Sequence, residues 1–175
     1  VVARAARELH PGREQIGQAL DITRTIGWFT CQYPVAIDIN QDDDLSTQIK
    51  QTKEQLRRIP QKGIGYGILK YLTKEGRDKL HVEPEISFNY LGEFGQTHKG
   101  TFALSPIKTG RDQSPQNCMP YALDINGYVE EGKLCLSFEF NSQEYRHETM
   151  EKVSADYKLH LERIIAHCAA KEEAE

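Results

Sequence analysis

The segment ALDINGYVEEGKLCLSFEFN, residues 122–141, constrains the fold more than any other part of the chain. Leu134, Leu136 and Phe138 fall on every second position, the period of a half-buried strand, and the break around Glu130 and Gly132 divides the segment in two. Two strands joined there are predicted to lie side by side as a hairpin. The chain then changes period. Over residues 143–170, Met150, Val153, Tyr157, Leu161, Ile164 and Cys168 recur at helical spacing and form one apolar stripe of a long helix. The stripe spans too few heptads for a coiled coil, so it is predicted to pack on the sheet of its own unit.

Upstream, the same reading yields alternating element types. Residues 27–39, GWFTCQYPVAIDI, have the aromatic and β-branched content of a strand interrupted by Pro34. Asp44 is a natural N-cap for a helix over residues 45–59, with Leu45, Ile49, Thr52, Leu56 and Ile59 on one face. Asp42, Asp43 and Asp44 before it and Arg57 and Arg58 at its end suit the helix dipole, and Pro60 and Gly63 stop it. IGYGILKYL, residues 64–72, reads as a second short helix with KEGRDK as its polar exit. A strand is predicted around residues 86–91, then a loop-rich stretch through Gly95, Gly100, Pro106, Gly110 and Pro115. The fold class is α/β, a mixed sheet flanked by helices. At 175 residues the chain fits one ordinary domain or one lobe of something larger.

Composition excludes several functions. A net charge of −4 argues against nonspecific nucleic-acid binding, which needs clustered Lys and Arg. No apolar run approaches the ~20 residues of a membrane span, and VVARAARELH has no hydrophobic signal core. The four cysteines, Cys31, Cys118, Cys135 and Cys168, form no CxxC pair, so reduced thiols in a cytoplasmic protein are expected and a metal site is not. GIGYG, residues 63–67, is followed by no Lys-Ser or Lys-Thr and does not fit GxGxxG, so it reads as a helix stop with close backbone packing. GxSxG and HExxH are absent.

Larger patterns carry more. PGRE (residues 11–14), RTIGWFTCQYPV (24–35), PQKGIGYG (60–67) and FNYLGEF (88–94) occur in this order. Together they resemble the C-terminal half of epimerization domains of nonribosomal peptide synthetases, whose motifs run EGHGRE, RTVGWFTxxYPxxL, PxxGxGYG and FNYLGQ. The resemblance extends over residues 8–168, and DING (124–127) and IIAHC (164–168) share in it. It implies residues 1–175 as the C-terminal lobe of a two-lobed, chloramphenicol-acetyltransferase-like fold. The family's HHxxxDG histidine belongs to the N-terminal lobe, and this chain holds no such motif.

The implied reaction removes the α-proton of a carrier-bound L-aminoacyl or peptidyl thioester and returns one from the opposite face. It needs a base, an acid and donors to the enolate oxygen. The resemblance implies Glu8 as the carboxylate, which requires one inserted residue in ELHPGRE; aligned without a gap from Gly12, the position is Leu9. Asn89 and Tyr90 match without shifts and are implied to line the site. Arg24, Gly27, Trp28 and Phe29 are implied scaffold beside the reaction chamber, and Gly63, Gly65 and Gly67 shape backbone near its tunnel. No cofactor is implied on the chain itself; 4′-phosphopantetheine arrives on a partner carrier domain, and the missing N-terminal lobe is the other partner. Two alternatives stand beside this reading: a condensation-type domain forming an amide bond, and a noncatalytic domain recruiting a carrier or tailoring enzyme.

Overall fold

The computed structural model describes residues 2–5, 26, 30–94, 107, 110, 114 and 116–172. The predicted hairpin is present as β4 (Leu123–Glu130) and β5 (Lys133–Phe140), with Glu131 and Gly132 between them at φ 51° and 74°. Two successive left-handed residues are what a tight two-residue hairpin turn needs. Among the described residues these strands belong to a five-stranded sheet in the order β2-β1-β3-β4-β5, where β1 is Val2–Ala5, β2 is Cys31–Pro34 and β3 is Ile86–Phe94. The outer pairs β1–β2 and β4–β5 are antiparallel, and the inner pairs β1–β3 and β3–β4 are parallel. The sheet is therefore mixed, as the α/β reading predicts.

Register assigns the two faces of the sheet. Phe88 pairs with Ile125 and Ile125 with Phe138, while Leu123 pairs with Phe140, so these side chains share one face. The C-terminal helix α4 (His147–Glu172) lies on that face. Leu123, Ile125 and Met150 are its buried centre, ringed by Phe88, Phe138, Phe140 and Tyr145. Phe138 meets Tyr157 edge to face at 5.5 Å between ring centroids, and Phe140 meets His147 at 5.9 Å. Such pairs add about 0.5–1.5 kcal/mol beyond area burial. Burial pushes the Tyr157 phenol above its ordinary pKa. The C-terminal end of α4 meets the start of α1 (Leu45–Arg57), where His167 Nε2 and Ser46 Oγ lie 2.8 Å apart and Lys171 Nζ also donates to Ser46 Oγ. Among the described residues no helix is long and apolar enough to cross a membrane.

Several boundaries differ from the sequence reading. The strand expected over residues 27–39 is strand only at Cys31–Pro34 within its described part, because Pro34 has no N–H to continue a ladder and β2 is an edge. α1 ends at Arg57, and a 3-10 turn over Pro60–Gly63 follows. α4 begins at His147 rather than at 143, after a turn in which Asn141 accepts from the Gln143 backbone. KEGRDK is not an exit from α2 (Ile64–Leu72) but a helix of its own, α3 (Lys74–Lys79). Thr73 Oγ1 caps it by accepting from Gly76 N, and the same hydroxyl donates to Leu69 O. Gly76 is required there, since a Cβ would stand 1.9 Å from the Leu69 carbonyl oxygen. Of the predicted α4 stripe, Met150, Tyr157 and Leu161 turn inward, whereas Val153, Ile164 and Cys168 are exposed.

Candidate functional site: a polar sheet face centred on Asn89

Buried parallel strands are usually apolar on both faces. β3 and β4 break that rule on the face away from α4. Ser87 pairs with Asp124 and Asn89 with Asn126, so four polar side chains stand together on two neighbouring strands. Ser87 is 0% exposed and Asn89 8%. Asn89 Nδ2 donates to Asn126 Oδ1 across the strand pair at 3.1 Å. Among the described residues, Asn89 Oδ1 and Ser87 Oγ are buried without a hydrogen-bond partner. Each such group costs about 1–3 kcal/mol, so this face is retained at a cost to stability. A buried amide with an open carbonyl and a second N–H can both donate to and accept from a bound polar group.

Tyr90 is placed differently. Strand alternation turns it to the opposite face, where it is 45% exposed. There its ring lies against Gly127, whose added Cβ would stand 3.5 Å from Tyr90 Cδ2 and 2.8 Å from Leu136 Cδ2. The structure therefore does not bring Asn89 and Tyr90 together on one face. Directly after Tyr90 the β3–β4 register shifts, and Gly92 takes φ 84° inside the irregularity. A bulge explains the glycine of FNYLG: it needs a residue free to enter the left-handed region.

The three glycines of GIGYG divide as well. Gly63 is buried at φ 83°, and a Cβ on it would lie 2.1 Å from Tyr33 Cδ1, inside the ring. It follows Gln61 and Lys62, which also have positive φ, 48° and 53°. The close packing expected of this motif is thus Gly63 against Tyr33. Gly65 and Gly67, by contrast, have no atom within 4 Å of an added Cβ. Through β1, Tyr33 lies in register with Phe88, so Gly63 backs the face opposite Asn89. Gly67 lines a cavity of about 320 Å3 with Cys31, Tyr33, Tyr66, Lys70 and Tyr121. Lys70 Nζ sits 5.6 Å from the centroids of both Tyr66 and Tyr71, and its hydrogen bond with Tyr66 holds its pKa above the ordinary value. Burial pushes the Cys31 thiol up, and burial with the Cys31 charge does the same for Tyr33. A thiol so placed is a poor nucleophile at neutral pH.

Glu8, Arg24, Gly27, Trp28 and Phe29 lie outside the described residues, as do Leu9 and Glu14. Among the described residues no three His, Cys, Asp or Glu side chains are grouped to hold a metal ion. The sequence reading passed over Ser87 and singled out Asn126 only as part of DING. The sequence carried no signal of their burial: Ser87 and Asn89, like Asp124 and Asn126, alternate with apolar residues, the pattern of a strand whose polar face is solvated.

The condensation domain family model matches residues 9–175. Gramicidin S synthase 1 of Brevibacillus brevis is 48% identical over 94% of this chain, which spans 16% of that protein. Surfactin synthase subunit 1 of Bacillus subtilis (strain 168) is 44% identical over 94% of the chain and 5% of its own length. The crystal structure of the epimerization domain from the third module of tyrocidine synthetase B superposes with a TM-score of 0.82 at 44% identity. That match covers 97% of this chain and 38% of the solved one. The helix-backed mixed sheet thus belongs to a known architecture, and the chain is a member of the condensation-domain family.

Proposed function

We propose that this chain is the C-terminal lobe of an epimerization domain in a cytoplasmic peptide synthetase. The intact domain converts a carrier-bound L-aminoacyl or peptidyl thioester to its D-epimer. The observation that carries the reading is the buried Asn89 amide, whose open carbonyl and remaining N–H sit on the polar face of a sheet. The chain's likeness to a solved epimerization domain over 97% of its length supports it. In this reading the Asn89 N–H donates to the oxygen of the developing enolate, a role worth about 10²–10³ in rate for one donor. Glu8 is the proposed acid/base carboxylate, opposed by a histidine from the upstream lobe. Tyr90, on the other face of β3, supports the strand from behind. The substrate is carried on the 4′-phosphopantetheine arm of a carrier domain, with no metal on this lobe.

The test is α-proton exchange. The chain is joined to its native upstream lobe and given a carrier loaded with an L-aminoacyl thioester in deuterated water. Deuterium uptake with appearance of the D-epimer is expected from the joined protein and not from residues 1–175 alone. The family match also admits an amide-forming condensation domain. Amide product with no uptake, when a second loaded carrier is supplied, would overturn the epimerase reading in favour of that one. Neither product across several loaded residues would leave carrier recruitment as the function.

A further inference from the structure

Resting on that reading, we propose that Asn126 is the positioning residue for Asn89. An Asn amide presents an acceptor at one end and two donors at the other, and a turn of 180° about χ2 exchanges them. One side-chain bond of the Asn89 amide distinguishes the two orientations, and its partner is Asn126, which presents Oδ1. It is the register partner of Asn89 on β4, and its Oδ1 accepts from Asn89 Nδ2 at 3.1 Å. With Nδ2 held on the β4 side, one N–H is satisfied while the second N–H and Oδ1 keep a defined direction on the buried face. Asn89 is more than nine-tenths buried, so solvent cannot make up for a wrongly turned amide. Among the described residues the open Oδ1 has no other hydrogen bond to lock the group. Asn126 touches no reacting atom and acts only through Asn89.

The inference separates from a general structural role by a double-mutant cycle in the joined two-lobed protein, read by α-proton exchange. Asn126→Ala is expected to lower the turnover number about tenfold, less than the 10²–10³ of losing a donor outright. The KM for loaded carrier should not move, because the amide orientation matters to the enolate and not to carrier docking. Asn89→Ala and the double variant should be equally slow. Asn126→Asp, which can only accept, should restore most of the rate by holding Nδ2 in place. If a charge beside Asp124 prevents folding, Asn126→Thr keeps an uncharged oxygen on a residue suited to a strand and serves the same purpose. Multiplicative losses in the double variant, or equal losses in the Ala and acceptor-retaining variants, would overturn the positioning role while leaving the Asn89 role intact. Wild-type exchange by Asn89→Ala would overturn both, and that variant is measured in the same series.

Discussion

Gly63 shows how much one residue decides. Three consecutive positive φ values place it, and the Tyr33 ring occupies the space a side chain would need. Gly63→Ala is expected to destabilise the protein by about 3 kcal/mol or more, combining left-handed strain with overpacking. Gly65→Ala and Gly67→Ala lie in α2 with open space around them, and each should raise stability by about 0.4–1 kcal/mol. Urea titration of the three variants checks the contrast. A loss at Gly63 of only about 1–2 kcal/mol, the left-handed strain alone, would mean that Tyr33 moves aside, and the close contact would lose its structural meaning. From the sequence, GIGYG could be read as a helix stop, but nothing in it distinguishes the glycine that packs from the two that do not. That distinction needs the position of Tyr33, thirty residues away.

At the scale of elements, α1 is the part most completely legible. Asp44 stands before its first apolar residue, and in the fold its carboxylate accepts from Thr47 N at 3.2 Å and from Thr47 Oγ1 at 2.6 Å. These bonds, the hydroxyl first, hold the Asp44 carboxyl below its ordinary pKa of 3.8. A carboxyl depressed in the folded state stabilises it above the unfolded pKa, and that contribution fades as pH falls through the folded value. Asp44→Ala is therefore predicted to lower the melting temperature at pH 7 by the small margin typical of one helix cap, whereas Asp44→Asn keeps most of it. As pH falls through the depressed folded value the wild type and Asp44→Asn should converge. A gap between them that persisted to low pH would show that the charge is not what the cap uses. α3 was less legible, because KEGRDK has no apolar face; its helix depends on the Thr73 cap and on Gly76 fitting under Leu69.

At the scale of the molecule, one cluster joins the helix to the sheet. Leu123, Ile125 and Met150 are its buried residues, and Met150 is the member contributed by α4. Met150→Ala should cost about 2–5 kcal/mol in a single cooperative transition. A loss under about 1 kcal/mol would show α4 unfolding independently of the sheet. The long helix, the hairpin and their apolar faces are local or nearly local features, since periods of 2 and 3.6 are set by backbone geometry and can be read along the chain. So can the ordered motifs that resemble epimerization domains. The order β2-β1-β3-β4-β5 could not be read in this way, because pairing β1 with β3 joins strands more than eighty residues apart. Nor could the sequence tell that Asn89 and Asn126 are partners, or that Tyr90 leaves their face. A residue's side of a strand follows from alternation, but which strand lies next to it, and in what register, is settled only when the whole sheet closes.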